Sequence, residues 1–592
     1  MHASVFAIAR SAGARSTHDV LTMRLERLFL TWLLGAVLAS AQSGPVIFFS
    51  DLTSGPNNRG ENVGGFSGAY VTLYGNFFGS PQSSSMVSLN GSSCLRVVSW
   101  GTPWQWYQKI VVQLGSTCSS GNFVVTVNGI ASNPLPFVIN SGHIYFVSAN
   151  GSDGNGGSST SPWKTIPHAV KNAGTSAGNI IYVRDGISQT SDDGEGWKAA
   201  LTLRNEWCRG TASEPDALVA YPGASVAIGT TTGPESGVRS TGPSGGGGAC
   251  QGAWTFAGLQ LRGSTGISLN GQSRTSPSSN WRLIGNDITC PNGNGATGCL
   301  ETEYAAHVKA YGNNVHDTGV VGPPTASALY HGVYFSTDTN HVDFGWNTIA
   351  NVHGCRGLQL HSSDGYDLYD YSIHDNVIHD TQCDGILLAT TNPSQGQISV
   401  YNNVIYNAGK GPNNPERTGA WNCIYLGTYT KRGPAGSGTI EVYGNTMYNC
   451  GSFATPPYRD SNNGIQNAGN DPVRINIHDN IVYQNNTSAP YFDNENPLPD
   501  GIYGMNNIFF GIGPAPTSAH VTGTIKGKPQ FVNPGVDFHL SSASAANEAG
   551  SKIAPAATYD HDGLRRPTPP TVGAYEYAPA PVGDKPPAPA KQ

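Results

Sequence analysis

Charge is scarce in this chain, because Lys, Arg, Asp and Glu together make up only 12% of the 592 residues. The 32 basic residues are outnumbered by 39 acidic ones, which leaves a net charge of -7. A nucleic-acid-binding protein needs a basic face, so this balance argues against nucleic acid as a partner. Helical periodicity is almost absent too, whereas the 76 glycines are typical of a loop-rich β protein.

Long hydrophobic runs are also missing, and the best candidate, Leu28–Leu38, is too short to span a bilayer comfortably. It follows the charged segment Met23–Arg27 and precedes Ala39-Ser40-Ala41, which together form the pattern of a secretory signal peptide. We therefore predict that residues 1–41 are a leader, that translation starts at Met23, and that cleavage follows Ala41. The mature protein is expected to be soluble, exported and without a transmembrane segment.

What the chain does contain is a repeated phrase: a β-rich run, an asparagine, and an apolar residue two positions later. Its eight copies are centred on Asn286, Asn313, Asn347, Asn376, Asn403, Asn445, Asn480 and Asn507. The spacings are 27, 34, 29, 27, 42, 35 and 27 residues, which is typical of a solenoid with one core length and variable loops. Asparagines at one turn can stack, with each side-chain amide bonding to the next coil.

A second strand-like phrase follows most of these asparagines. Its copies begin at His331, Arg356, Asp384, Asn422, Asn463 and Asp500. Two strands per coil in a fixed order predict an all-β protein whose main part is a right-handed, single-stranded parallel β-helix. The second phrase predicts one of its sheets, made by residues 332–335, 357–360, 385–388, 423–426, 464–467 and 501–504.

The ten cysteines predict disulfide bonds, because the chain is expected to be exported and has no CxxC or His/Cys cluster. Cys355 and Cys383 precede equivalent positions on successive coils and should be stacked. Cys290 with Cys299 and Cys94 with Cys118 are expected as local pairs. Cys208 with Cys250 and Cys423 with Cys450 then remain.

Residues 45–140 form a separate unit with strand-like alternation and Gly/Ser turns. The segments GGFSGAYVTLYGNFFG and SGNFVVTVNGIASNPLPFVI resemble an IPT/TIG domain, which is an immunoglobulin-like sandwich. The resemblance implies a spacer or binding appendage without chemistry of its own. Trp100, Trp104, Trp106 and Tyr107 fit either a sugar-binding surface or the core and turns of the sandwich, and we expect the second.

Residues 143–577 carry a second resemblance. HIYFVSANGSDGNGGSSTSPWKTIPHAV, with a short helix predicted from Pro167 to Asn172, resembles the N-terminal cap of the pectin-lyase-like β-helix superfamily, near polysaccharide lyase families six and nine. CRGTASEPDALVAYPGASVAI resembles the first coil of that group, and residues 529–577 resemble its closing segment. The tail, residues 578–592, is rich in Pro, Ala and Lys and is expected to be disordered.

Insertions predict where a polymer would bind. They occur on both sides of the predicted sheet, at residues 318–330, 408–421, 450–462, 485–499, 337–341, 362–367, 390–396 and 428–438. Loops that rise on both sides of a flat sheet form a trough, which suits a linear polysaccharide. Alternation along the strands sends Val333 and its equivalents inward, and sends outward Tyr334, Gln359, Leu387, Tyr425, Gln466 and Tyr503, with His361 further along.

At the edge of this trough, His331, Arg356 and Asp384 occupy one position on three neighbouring coils. Each Asp followed by Gly also fits a turn-forming hydrogen bond, which is our interpretation of Asp500. The trough loops carry the basic residues Lys410, Arg417, Lys431, Arg432 and Arg459, which indicates an anionic substrate unless these are scattered solvated charges. Together with Tyr334, Gln359 and Trp421 they are the candidate substrate-binding residues.

The main hypothesis is a polysaccharide lyase that cleaves a uronic-acid polymer by β-elimination. This reaction needs a cation beside the substrate carboxylate, a base for the ring proton and an acid for the leaving oxygen. The candidates are Arg356 as cation, His361 or His331 as base, and Tyr425 or Tyr334 as acid. The lyase resemblance also implies Ca²⁺, for which Asp364, Asp367 and Asp384 are candidate ligands, although no calcium-loop run of acidic residues is present.

Two other classes of function stay open. A glycoside hydrolase of the same fold needs two carboxylates across the trough, for which Asp364, Asp384 and Glu416 are candidates. The Asp-Asp pair and Gly-His-Gly of polygalacturonases are absent from the trough segments. A non-catalytic glycan-binding or adhesion protein is compatible with an IPT/TIG domain beside a solenoid. In each case we expect a monomer.

Overall fold

The computed structural model describes residues 44–80, 84–240, 249–321, 329–362, 365–410, 421–427, 438–451, 464–467, 474–485, 490–494, 502–513 and 521–578. Within them the protein is mostly β, with one α-helix at Ile166–Ala173 and a 3₁₀ turn at Asn205–Trp207. The helix matches the one predicted at 167–172. No helix in this part of the chain is long and apolar enough to cross a membrane. The predicted leader and, apart from Ala578, the predicted tail lie outside the described residues.

Two small sheets form the N-terminal β-sandwich. The first contains Val46–Ser50, Tyr70–Asn76, Leu95–Trp104 and Tyr107–Leu114. The second contains Ser54–Gly55, Met86–Leu89, Gly121–Val127, Ile130–Ala131 and Leu135–Ile139. Strand pairing is antiparallel except between the first and last of these. The expected sandwich is therefore present, and its IPT/TIG assignment remains a resemblance.

Three long parallel sheets, here named A, B and C, make the β-helix. Sheet A contains Ile144–Val147, Ile180–Val183, Asp216–Ala220, Trp254–Ala257, Trp281–Ile284, Ala305–Tyr311, Asn340–Gly345, Tyr371–His374, Ile398–Tyr401, Thr439–Tyr443, Arg474–His478, Ile502–Met505 and Val521–Thr522, with Ser278–Ser279 paired at its side. Sheet B contains Ser188–Gln189, Ala227–Ile228, Gln260–Arg262, Asp287–Cys290, Asn314–Thr318, Thr348–Val352, Val377–Thr381, Val404–Tyr406, Thr446–Tyr448, Ile481–Gln484 and Ile508–Gly511. Sheet C contains Ala199–Leu203, Ser236–Ser240, Thr265–Asn270, Gly298–Glu303, His331–Ser336, Leu358–His361, Ile386–Ala389, Ile424–Gly427, Ile465–Asn467 and Phe492–Asn494.

The chain visits the sheets in the order A, B, C, so each circuit adds one strand to each sheet. The predicted fold class, a parallel β-helix preceded by a β-sandwich, is confirmed. A short hairpin, Phe531–Asn533 with Asp537–Leu540, belongs to the C-terminal segment. The interior is apolar along its whole length, and Val333, Leu358, Ile386, Ile424 and Ile465 are all fully buried, as their alternation predicted.

The eight asparagines form a continuous ladder at the corner between sheets A and B. Each Nδ2 donates to the Oδ1 of the next asparagine, at 2.9 Å from Asn286 to Asn313 and at 2.9 or 3.0 Å along the rest of the ladder to Asn507. The same amides also donate to backbone carbonyls, as Asn376 does to Phe344. Since the side chains are at most 1% exposed, the ladder satisfies polar groups that would otherwise be costly to bury.

The residue before each ladder asparagine has a positive φ angle. Most of these residues are Gly, Asp or Asn, which adopt the left-handed region with the least strain, so the sequence repeats Gly-Asn, Asp-Asn and Asn-Asn. They are Gly285, Gly312, Trp346, Asp375, Asn402, Gly444, Asp479 and Asn506. Trp346 is the exception, and its indole packs on Phe48 and Phe49 of the sandwich.

One predicted strand belongs to a different sheet. Residues 501–504 were expected beside 464–467, but Ile502–Met505 pairs with Arg474–His478 in sheet A. The place in sheet C is taken by Phe492–Asn494. The strand that precedes a ladder asparagine must belong to sheet A, and Asn507 follows Ile502–Met505 directly, so the sequence of this strand resembles the sheet C phrase while its position does not. Asp500 lies outside the described residues, and Tyr503 does not belong to the outward row of sheet C.

All five predicted disulfides are present: Cys94–Cys118, Cys208–Cys250, Cys290–Cys299, Cys355–Cys383 and Cys423–Cys450. The sandwich packs on the outer face of sheet A, where Phe49 and Tyr74 join one hydrophobic core with Tyr182, Ile284 and Tyr311. The sandwich is therefore held against the β-helix by an apolar interface.

Candidate functional site

The outward row of sheet C is where the trough was predicted. Its strand register places Tyr334, Gln359, Leu387, Tyr425 and Gln466 side by side on successive coils, as the sequence predicted. The row is nevertheless covered over much of its length, because Tyr334, Gln359 and Leu387 are only 7%, 6% and 5% exposed. The partly exposed members of this region are Arg356, His361 and Tyr425.

Arg356 is fixed at the edge of the row by two partners. Its Nε donates to Oδ2 of Asp384 at 2.9 Å, and its Nη1 donates to Oε1 of Gln359 at 2.8 Å. Its Nη2 has no hydrogen-bond partner among the described residues. The guanidinium, whose side chain is 21% exposed, is therefore oriented by the protein while one N–H₂ group stays available to an anion.

Asp384 is fully buried, and it accepts hydrogen bonds on both oxygens. The backbone N–H and the side-chain amide of Asn422 each donate to its Oδ1 at 2.9 Å. Burial raises the pKa of the Asp384 carboxyl, while the Arg356 charge and these hydrogen bonds lower it. A carboxylate so enclosed anchors Arg356 rather than meeting substrate, so the structure gives Asp384 a positioning role.

His331, Tyr334 and His361 form the second half of the site. The Tyr334 hydroxyl lies 3.5 Å from Nδ1 of His361, and the rings of His331 and Tyr334 meet edge to face at 5.4 Å. His331 is 1% exposed, and its Nδ1 accepts the backbone N–H of Arg356 at 3.3 Å. The ring of His331 therefore supports Arg356, and the half-buried His361 is the better placed proton acceptor.

The Cys355–Cys383 disulfide underlies this arrangement. Each cysteine directly precedes one member of the Arg356–Asp384 ion pair, so the bond ties the two coils together beside that pair. Trp421 is 3% exposed and packs on both cysteines, with the Arg356 guanidinium 6.0 Å from its ring centroid. Trp421, expected to bind substrate, thus supports Arg356 from below and presents no open ring face.

Glu301 is a residue that sequence reasoning missed. It lies opposite Tyr334 on the preceding strand of sheet C, and its neighbour in the other direction is Ser268, followed by Arg239. Burial raises the pKa of the Glu301 carboxyl, and Arg239 partly opposes this. The signal was present, since Gly298–Glu303 follows Asn286 at the distance at which other sheet C strands follow their asparagines, but it lacks the apolar phrase of later coils.

The basic loop residues are only partly described. Arg417, Lys431, Arg432 and Arg459 lie outside the described residues, as does Glu416. Lys410 is described, and its ammonium forms an ion pair with Asp380 at the end of a sheet B strand. The structure therefore brings Arg356, His361 and Tyr334 together and directs Lys410 to a neighbouring carboxylate.

The predicted calcium ligands can be tested at Asp367 alone, because Asp364 lies outside the described residues. Oδ2 of Asp367 accepts from the side-chain amides of Asn392 and Gln395, at 2.8 and 2.9 Å, while its buried Oδ1 has no partner. In the described part of the chain, no group of three His, Cys, Asp or Glu side chains is arranged to hold a metal. One free carboxylate oxygen fits a hard cation but does not make a site.

No family model matches the chain, and no curated protein matches it in sequence. Three solved structures resemble it distantly. Pectate lyase Pel9A is 14% identical with a TM-score of 0.44, and the match covers 74% of this chain and 97% of that one. An alginate lyase from Paenibacillus sp. str. FPU-7 is 13% identical, with a TM-score of 0.36 and coverage of 58% and 95%. A Family 28 exopolygalacturonase of Yersinia enterocolitica is 11% identical, with a TM-score of 0.30 and coverage of 81% and 100%. Similarities of this size carry no argument about activity, which has to come from the site.

Proposed function

We propose that this chain is a secreted polysaccharide lyase that cleaves a uronic-acid polymer by β-elimination on the outer face of sheet C. The observation that carries the proposal is a half-buried arginine, Arg356, held by a buried carboxylate next to the His361–Tyr334 pair. Five disulfides support export, because such bonds persist in oxidising compartments.

The roles follow from the demands of the reaction. The free N–H₂ of Arg356 pairs with the substrate carboxylate, which makes the adjacent ring proton more acidic. His361 takes that proton, the bond between the ring carbon and the glycosidic oxygen breaks, and a carbon–carbon double bond forms in the uronate. Tyr334 donates a proton to the leaving oxygen, and Tyr425, on the same row two coils away, is the alternative donor.

Ca²⁺ remains part of the proposal as an optional aid. Asp367 and Asp364 would hold it, and it would add positive charge near the substrate carboxylate. The loop residues Arg417, Lys431, Arg432 and Arg459 are proposed to contact further anionic sugars.

The test is an incubation of the full chain with alginate, pectate and glycosaminoglycans, with and without a chelator. Ultraviolet absorbance of the unsaturated product and new reducing ends are followed together. His361→Asn and Tyr334→Phe should each lower turnover by at least about 100-fold, which is the usual size of an acid–base contribution. The matched control is His353→Asn, a half-buried histidine near Asp317 on sheet B's side. Activity unchanged by both site variants would refute the assignment.

Glycoside hydrolysis is the second candidate, and one observation favours it. Glu301, whose pKa is raised by burial, has the property of a general acid and lies on the same row as Tyr334. Reducing ends without ultraviolet absorbance, abolished by Glu301→Gln, would establish this reaction in place of elimination. Silence in both assays with retained glycan binding would identify a binding protein.

A further inference from the structure

A second cleft, far along the chain from the sheet C residues, lies where the sandwich meets the early coils of the β-helix. Its volume is about 640 Å³, within the range of roughly 300–1,000 Å³ that is usual for small-molecule sites. The sandwich contributes Thr72, Trp104 and Lys109, and the β-helix contributes residues 221–225 and 257–262. All of the residues that line it are described.

The floor of this cleft is kept open by glycine. Gly258 and Gly285 occupy the corner between sheets A and B, with φ angles of 70° and 61°. In a later coil the same corner carries Trp346, whose ring fills the gap between β-helix and sandwich. A Cβ on Gly258 would meet only Ala220, at 3.4 Å, and one on Gly223 would meet nothing within 4 Å. The early coils therefore leave space that the later one closes.

The sandwich wall is anchored rather than loose. The indole Nε1 of Trp104 donates to the carbonyl of Gly312 at 2.9 Å, and the Gln105 amide donates to the same oxygen at 2.7 Å. The Lys109 ammonium lies 4.9 Å from the Trp104 ring centroid, so a cation–π contact fixes its position. Both side chains are thus held in place before any ligand arrives.

Charge in the cleft is balanced everywhere except at Lys109. Asp287 is paired with Arg262 at 2.8 Å and with Nε2 of His316 at 3.1 Å. Asp51 is buried and accepts the backbone N–H groups of Leu52 and Thr72. In the described structure the Lys109 ammonium makes no hydrogen bond or ion pair, and burial lowers the pKa of this group. An anion beside it would supply the missing partner.

Neutral polar groups complete the lining. Gln260 donates to the hydroxyl of the exposed Ser225 at 3.1 Å, and both side chains lie opposite the Trp104 wall. A ligand that carries a carboxylate, several hydroxyls and an apolar ring face matches this combination of groups.

We propose that this cleft binds an acidic saccharide, with the Lys109 ammonium opposite a sugar carboxylate, Trp104 against the apolar ring face, and Gln260 and Ser225 toward hydroxyls. The choice of an acidic sugar among carboxylated ligands rests on the proposed function, whereas the position of the site does not. The cleft would hold the polymer on the sandwich side of the protein while sheet C acts on another segment.

Calorimetric titration of the full chain with uronic-acid oligosaccharides, in a His361→Asn background that prevents turnover, tests this site. Lys109→Met, which keeps the aliphatic stem, should weaken binding at the cleft about tenfold or more, as the loss of a charge-assisted hydrogen bond does. Ser225→Trp, which fills the cleft without touching Lys109, should do the same. Lys552→Met, at an exposed lysine of the C-terminal segment, is the matched control and should bind as the parent does.

Neutral oligosaccharides of equal length should bind the cleft more weakly than the acidic ones. Equal affinity of parent, Lys109→Met and Ser225→Trp for the acidic oligosaccharide would overturn the proposal. The two proposals fail separately, because polymer cleavage by the native His361 protein with Lys109-independent binding refutes only the cleft. Lys109-dependent binding without any cleavage by the native His361 protein refutes only the lyase.

Discussion

Trp106 of the N-terminal sandwich stacks on His561 of the C-terminal segment, with ring centroids 4.6 Å apart and planes 14° from parallel. His561 is fully buried, and its Nδ1 donates to the carbonyl of Asn402 at a corner of the β-helix. Asn76 of the sandwich also donates its side-chain amide to the carbonyl of Asp562. The sandwich and the C-terminal segment therefore brace each other against the β-helix.

Trp106→Ala should loosen this brace. Removal of a buried indole costs about 3–5 kcal/mol, so the melting temperature should fall, and the C-terminal segment should become sensitive to limited proteolysis. Trp100→Ala is the control, because Trp100 is half-buried and its Nε1 donates within the sandwich to Phe78. If both variants expose the C-terminal segment equally, the brace does not depend on the Trp106–His561 contact.

Asn376→Ala should break the asparagine ladder in its middle. The side chain of Asn376 accepts from the backbone and side-chain amides of Asn347 and donates to Phe344 and Asn403. Each buried group left unpaired costs about 1–3 kcal/mol, so the loss of stability should be roughly 4 kcal/mol or more in chemical denaturation. Asn172→Ala, at an exposed position of the α-helix, should leave stability nearly unchanged. Similar midpoints for the two variants would contradict a stabilising ladder.

Loss of the Cys355–Cys383 disulfide should affect both stability and activity, because the bond lies beside the Arg356–Asp384 ion pair. A double Cys→Ser variant at this pair is expected to lose about 2–4 kcal/mol and most of its turnover on uronate polymers. The matched control is the double variant at Cys94 and Cys118, which closes a loop of similar length, 24 against 28 residues, within the sandwich. It should lose comparable stability and keep its activity at temperatures where both fold. Equal activity of the two variants would separate the disulfide from the site.

Stability should fall as the pH rises above about 6.5, in part because of His374. Burial by itself lowers the pKa of this imidazole, but Asp343 and Asp375, at 2.9 and 2.7 Å, outweigh burial and raise the pKa to about 9. A folded-state pKa above the unfolded value means that the stabilisation is complete below about pH 6.5 and is lost through about pH 9. The expected size is on the order of 3 kcal/mol. Melting temperatures across this range should slope less for His374→Gln than for the parent, and His353→Gln should keep the parent slope.

The sequence was most informative where one coil repeats the next. Asn286 and Asn313 could be predicted to bond, and Cys355 and Cys383 to pair, because a position in the repeat translates directly into a position in the stack. The same logic sent Val333 inward and Tyr334 outward. It was misleading for residues 501–504, because the composition of a strand does not say which of three sheets it joins, and the ladder asparagine that follows it does.

The candidate site shows the same division. The sequence alone determined that this protein is a parallel β-helix preceded by a sandwich, which asparagines and cysteines stack, and that His331, Arg356 and Asp384 share one column. Only the tertiary structure decided that Asp384 is buried beneath Arg356, that Trp421 supports the guanidinium, that Glu301 lies on the same row, and that the sandwich and early coils enclose Lys109. Repeat spacing encodes contacts between adjacent coils, whereas burial and the contacts of the sandwich depend on side chains that are distant in sequence and meet only in the folded chain.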